Sequence, residues 1–233
     1  MDNPMPILLV PGLGGSPRIY APLVPQLWRF GPVTVANHIR DDNMGAIARR
    51  ILAEAPPRFA LAGHSMGGYI AFEILRQAPD RVAKLALINT QARADTPEAR
   101  DRRQILVARV QAGQLHDVLD ELFPGFVHRS RHGDADLRKL VHDMGDDVGA
   151  NGFVRQQSAI MSRTDSRPTM AMIACPTLVL TGDGDDTIPN ALSVEMAEGI
   201  RGARLAIIPE CGHLSQPEQP QAVGDALKTW LAS

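Results

Sequence analysis

A doubly wound α/β fold, with a mostly parallel sheet of about six strands and a helical cap inserted into it, is the architecture the sequence predicts. Three observations point there. Short apolar runs recur between Gly, Pro and polar residues; helix-length patterns alternate with them; and the alternation lapses once, for a long stretch, before it resumes.

The runs are Ile7–Val10, Val33–Ala36, Phe59–Ala62, Lys84–Ile88, Thr177–Leu180 and Arg204–Ile208, and they read as strands buried on both faces. Between them, apolar residues recur every three or four positions over Arg18–Trp28, Asp42–Glu54, Gly67–Gln77, Asn190–Ile200 and Gln221–Leu231, the spacing of amphipathic helices. Strand alternating with helix requires crossover connections and therefore a parallel sheet. From about Gln91 to Thr169 the pattern is helical with no convincing strand. Thr96 before Pro97-Glu98 predicts a helix start, and Gly113 and Gly133 punctuate later segments. The Arg100-Asp101-Arg102-Arg103 run reads as a solvated helix face. The expected organisation is a core of residues 1–90 and 170–233, with 91–169 as the cap.

Composition narrows the function. The 233 residues suit one domain with an insertion, and 44% hydrophobic residues are enough for a sizeable core. A formal net charge of -2 gives no electrostatic reason to expect nucleic acid or an anionic membrane as partner. With only Cys175 and Cys211, neither a disulfide framework nor a four-thiolate zinc site can be built, which suits a reducing cytoplasm. Met1 to Pro6 lacks the basic region of a signal peptide, and Ile7–Val10 is too short to span a bilayer. His128 and His132, four apart, could share a helix face but lack a third metal ligand nearby.

The chemistry concentrates in loops that follow strands. Phe59–Ala62 ends at Gly63-His64-Ser65-Met66-Gly67-Gly68, and a helical pattern follows at once: a Gly-x-Ser-x-Gly sequence in strand-turn-helix context. A serine on so sharp a turn needs glycines beside it, and the following helix supplies N–H groups and a positive dipole end. The loop lacks both the Gly-Lys-Ser/Thr ending of a phosphate loop and the Gly-x-Gly-x-x-Gly spacing of a dinucleotide site. His64 reads as a packed neighbour, because adjacent side chains on a tight turn diverge. Beyond Leu178-Val179-Leu180-Thr181-Gly182 stand three carboxylates, Asp183, Asp185 and Asp186, where open α/β sheets place their sites. The missing glutamate of a calcium loop argues against a metal there. After the last strand comes Cys211-Gly212-His213, with Cys211 read as an apolar filler.

In these residues the chain resembles the α/β-hydrolase superfamily, especially compact bacterial serine esterases with a helical cap, over nearly its whole length. Serine, acid and histidine fall in that family's order. The resemblance implies Ser65 as nucleophile and His213 as base. The family's spacing of glycine, two variable residues, acid and a later proline, counted from Gly182 to Pro189, selects Asp185. It further implies an oxyanion hole from the amides of Leu13 and Met66, with Pro11-Gly12 standing where the family often has His-Gly. The family's usual antiparallel strands before that loop have no counterpart in this sequence, so all strands are expected to be parallel. Phe126 and Met161 of the cap, with Phe123, Phe153 and Ile160, are expected to face Ile188 and Leu214 across an apolar pocket with few polar anchors.

The activity implied is hydrolysis of a small-molecule carboxylic ester through an acyl-enzyme, without cofactor or metal. Carbon–carbon bond hydrolysis, thioester hydrolysis, perhydrolysis and a catalytically silent ligand receptor use the same scaffold. Haloalkane dehalogenation is disfavoured, since it calls for Asp where this chain has Ser65.

Overall fold

The computed structural model describes residues 4–233; the reading of Met1, Asp2 and Asn3 lies outside the described residues. Six strands, β1 Ile7–Val10, β2 Val33–Val35, β3 Phe59–His64, β4 Val82–Ile88, β5 Thr177–Gly182 and β6 Arg204–Ile208, form one sheet in the order β2-β1-β3-β4-β5-β6. Every pairing is parallel, with Leu9 opposite Ala62, Gly63 opposite Leu87 and Ile88 opposite Leu180. Strand order reverses between β1 and β3, so the loops after these two strands open a crevice at the carboxyl end of the sheet.

The central strands are buried along their length, as their apolar runs require, but the edges depart from that expectation. β2 is only half-buried, and in β6 Leu205 and Ile207 are 38% and 49% exposed. An edge strand has a neighbour on one side only, and β6 alternates accordingly, with Ile208 buried.

Helices α2 Met44–Glu54, α3 Met66–Gln77, α8 Asn190–Gly199 and α10 Pro220–Ala232 lie where the periodicity predicts. The helix expected over Arg18–Trp28 is broken. Pro22 and Pro25 remove backbone donors, leaving a 3-10 turn at Pro17–Tyr20, the short α1 Val24–Leu27 and a second 3-10 turn at Trp28–Phe30. One apolar layer, including Ile47, Ile51, Ile70, Phe72 and Met196, covers one face of the sheet; Ile19, Leu23, Val223, Leu227 and Trp230 cover the other.

Between β4 and β5 the chain forms α4 Pro97–Gln111, α5 Leu115–Phe126, α6 Ala135–Met161 and α7 Arg167–Met170, and no strand. Thr96 caps α4 by accepting from Ala99 N at 3.2 Å, as the Thr-Pro-Glu sequence predicts. Gly113 (φ 87°) ends that helix, and α6 bends at Gly149 (φ 69°, ψ 162°), which only glycine adopts without strain. Short α9 Ser215–Glu218 follows the last strand's loop. Among the described residues no helix is long and apolar enough to cross a membrane.

Candidate active site

The turn from β3 into α3 holds Ser65 at φ 52°, ψ -116°, a backbone region that residues with a side chain avoid at a cost of about 1–3 kcal/mol. Neighbouring strands hold the turn in place. Ser65 N donates to Ile88 O (2.9 Å), Gly68 N donates to Ser65 O (2.9 Å), and Thr90 Oγ1 donates to the same carbonyl (2.7 Å). The flanking glycines are required by contact: a Cβ on Gly63 would lie 2.3 Å from Gly67 O, and one on Gly67 would lie 2.1 Å from Val10 O. The half-buried hydroxyl of Ser65 therefore stands at the carboxyl end of the sheet.

The structure brings His213 and Asp185 to this hydroxyl. His213 Nε2 is 2.9 Å from Ser65 Oγ, and its Nδ1 is 2.9 Å from Asp185 Oδ2. Both partners are almost fully buried, at 3% and 6% exposure. A carboxylate only accepts, so Nδ1 carries the proton and Nε2 is left to accept from the serine hydroxyl. Asp185 Oδ1 accepts from Thr187 N and Ile188 N, both at 2.9 Å, and Oδ2 also accepts from Asn89 Nδ2 at 2.9 Å. Burial raises the pKa of Asp185, but His213 and these donors outweigh it and hold the carboxyl below its ordinary range. Asp183 is exposed and accepts from Cys211 N at 3.1 Å; Asp186 is exposed as well. Of the three carboxylates left open by the residue pattern, only Asp185 reaches the imidazole.

Asn89 is a member of this group that sequence reasoning missed. It sits at the carboxyl end of β4 with φ 46°, is fully buried, and also donates to Gly212 O at 3.2 Å. Asn tolerates that conformation better than most residues, so an Asn just past an apolar strand was the available cue.

The loop after β1 is braced by residues far away in the chain. Gly14 N donates to Gln156 Oε1 of α6 at 2.9 Å and Gly15 N to Gly12 O at 3.1 Å, while Leu13 N has no acceptor among the described residues. His38 Nε2 lies 2.9 Å from Gly12 O and 3.0 Å from Gln156 Nε2, so it serves one of them at a time. Burial lowers the pKa of His38 to about 4, so it stays neutral. Met66 N belongs to the first turn of α3, whose N–H groups lack helical acceptors. His64, as expected, packs: its Nε2 lies 2.9 Å from His213 O. Burial first and His213 second lower its pKa to about 3.

Ser65 and His213 open onto a cavity of about 230 Å³. Leu13, Phe126, Ile188 and Leu214 line it; Met161 does not, and its neighbour Ile160 does, because one residue turns a helix by about 100°. Phe123 and Phe153 are buried in the core instead, and Phe126 stacks on His213 with ring centroids 6.1 Å apart. The wall is less apolar than expected. Gln91, Asp95, Arg102 and Arg103 contribute to it, and Arg103 turns inward with a side chain 21% exposed, so the basic run is not wholly a solvated face. His128 lies outside any α-helix, with Nδ1 2.7 Å from Ser130 Oγ, so it shares no helix face with His132. Among the described residues no three His, Cys, Asp or Glu side chains are grouped to hold a metal ion.

A seam joins the His213 loop to the segment after α5. Glu218 Oε1 accepts from Gly212 N (3.1 Å) and Oε2 from His128 N (2.8 Å), and Leu214 N donates to Phe126 O (2.8 Å). Burial raises the pKa of Glu218 from its ordinary 4.5 to about 7, against the lowering effect of the two N–H donors. Folded and unfolded chains both hold this proton below pH 4.5; above it the unfolded chain ionises first, so the group's contribution to stability is lost as pH rises toward about 7. Urea denaturation across this window should show the stability difference between the parent and Glu218→Gln falling as pH rises. A difference that stays constant with pH would contradict this.

A parallel α/β sheet with a serine on its strand-helix elbow, hydrogen-bonded through histidine to aspartate, defines a hydrolase scaffold. The chain belongs to the alpha/beta hydrolase family, whose model matches residues 7–226. It is similar to a thermophilic esterase from Thermogutta terrifontis, with a TM-score of 0.89 and 28% identity over 98% of this chain and 89% of that one. It is 28% identical over 234 residues to a pimeloyl-[acyl-carrier protein] methyl ester esterase of Aromatoleum aromaticum, covering 91% of this chain and 93% of the relative. A bromoperoxidase from Bacillus anthracis shares the fold at a TM-score of 0.84 and 20% identity, covering 99% and 92% of the two chains.

Proposed function

We propose that the chain is a serine hydrolase acting on small-molecule carboxylic esters, with 91–169 as a cap over a core of 1–90 and 170–233. The hydrogen-bonded line from Ser65 Oγ through His213 to Asp185 carries this reading. Ser65 Oγ attacks the ester carbonyl while its proton passes to His213 Nε2. The N–H groups of Leu13 and Met66 receive the developing oxyanion. The alcohol leaves with the proton from His213; a water, deprotonated by the same nitrogen, then releases the acid and restores the serine. Asp185 orients the ring and stabilises its charged form. The chemistry uses this chain's own groups and water, and the two free cysteines fit a reducing cytoplasm.

Acyl length provides the test of substrate class. Each methylene taken into the apolar part of the cavity contributes about 0.8 kcal/mol, roughly fourfold in kcat/KM. In an aryl ester series from acetyl to palmitoyl, kcat/KM is expected to rise and then fall within the short to medium range, where the roof at Phe126 and Ile160 is reached. Ile160→Ala should move the optimum to longer chains. An optimum at palmitoyl, or one untouched by Ile160→Ala, would refute the cap as the selective wall.

A further inference from the structure

We propose that the substrate carries an anionic oxygen group, a carboxylate or phosphate, which binds against Arg102 and Arg103 on the cap side of the Ser65 cavity. The inference rests on the ester-hydrolase reading and specifies its substrate. Helix α4 turns Ala99, Arg102 and Arg103 to the cavity, positions i, i+3 and i+4 on one helical face, and Ala99 leaves space beside the two guanidinium groups.

The wall has an excess of donors. Asp95 is the carboxylate on it, and both its oxygens are engaged: Oδ1 by Arg163 Nη2 at 2.7 Å and Oδ2 by Arg103 Nε at 2.8 Å. Asp95 and Arg163 are buried, with side chains 3% and 5% exposed. Arg103 Nη1 donates to Gln157 Oε1 at 2.9 Å, and its Nη2 has no acceptor among the described residues. Gln157 is fully buried, yet its Nε2 also lacks a partner.

Arg102 forms no ion pair among the described residues. The carboxyl of Glu98, one turn earlier, is held below its ordinary range first by its own backbone N–H and the Thr96 hydroxyl and last by the charge of Arg102, with which it forms no direct ion pair. Arg103 on the wall and Arg163 behind it share the carboxylate of Asp95, and Arg102 has only the nearby charge of Glu98, so three guanidinium groups meet two carboxylates and one positive charge is in excess beside the cavity. An excess of positive charge at the wall of a concave site attracts an anion, and a guanidinium fork matches the paired oxygens of a carboxylate or phosphate.

The test compares 4-nitrophenyl butyrate with mono-4-nitrophenyl glutarate, esters that present similar acyl chains with a neutral or a charged end. The parent is expected to favour the charged ester in kcat/KM. The charged-to-neutral ratio should fall about tenfold in Arg102→Gln and about a hundredfold in Arg102→Glu. Arg102 is exposed, so neither substitution disturbs packing. Glutarate and inorganic phosphate, each tested as a competitor of butyrate ester hydrolysis, separate the two anion types: the one that fits raises KM with kcat unchanged, and loses that effect in Arg102→Glu.

A parent that cleaves the butyrate ester but shows no preference for the charged one, or a ratio unmoved by both variants, overturns the anion site and leaves the hydrolase reading intact. A parent that cleaves neither ester and is not labelled by a fluorophosphonate overturns both.

Discussion

Ser65→Ala is expected to lower ester turnover by about 10⁴-fold or more and to abolish labelling by a fluorophosphonate, with thermal unfolding little changed. Alanine has no oxygen to attack the carbonyl or to hold the acyl group. The loss should be confined to chemistry, because the elbow is held by the backbone N–H and carbonyl of residue 65, which alanine retains, and alanine meets the same φ of 52° that serine does. Residual turnover is expected from the proposed oxyanion donors, the Leu13 and Met66 amides, and from binding. Stoichiometric labelling of the parent that persists in the variant would place the nucleophile elsewhere.

Asp185→Asn is expected to cost about 10³- to 10⁴-fold in kcat, far more than Asp183→Asn or Asp186→Asn. The asparagine side chain introduced by Asp185→Asn can keep its Oδ1 on Thr187 N and Ile188 N, so the loop should hold. Its amide nitrogen, however, would replace the oxygen that lies 2.9 Å from both His213 Nδ1 and Asn89 Nδ2, setting donor against donor at both and leaving Nδ1 only the longer 3.1 Å contact to an Oδ1 already shared by two amides. The imidazole then adopts the wrong tautomer or turns away. Asp183→Asn retains an acceptor for Cys211 N at an exposed position, and Asp186 is exposed too, so neither side chain reaches the ring. Steady-state kinetics on the three variants, with unfolding transitions to check integrity, decides the matter; equal losses, or a larger one at 183, would reassign the acid.

The contrast between what the sequence revealed and what it hid follows from interaction range. The strands were legible because short apolar runs between turn formers have few alternatives, and β1 and β6 match their expected bounds. Ser65 was legible because the elbow is a local steric problem that two flanking glycines solve. His38, Gln156, Asn89 and Glu218 were not, because their roles lie in partners 26, 142, 96 and 90 residues away, and each looks like an ordinary polar residue in its own segment. Ile160 and Met161 were both expected at the cavity, and of the two Ile160 lines it, because consecutive residues of a helix point about 100° apart and an adjacent apolar pair does not reveal which member faces inward. Arg103 was read with its charged neighbours as solvated, when its partner Asp95 lies before the helix begins.

The seam between the His213 loop and the end of α5 joins that segment and the loops of His213 and Asp185 into one mechanical piece. Leu214 N on Phe126 O, Thr187 Oγ1 on Gly125 O and Glu218 on His128 N fasten the same short segment to the loops that carry His213 and Asp185. At the other end α4 has a single buried residue, Val110. The position of Phe126 and the alignment of His213 with Asp185 are therefore coupled, whereas α4 is fastened separately, through Val110 and the Arg103 bonds to Asp95 and Gln157.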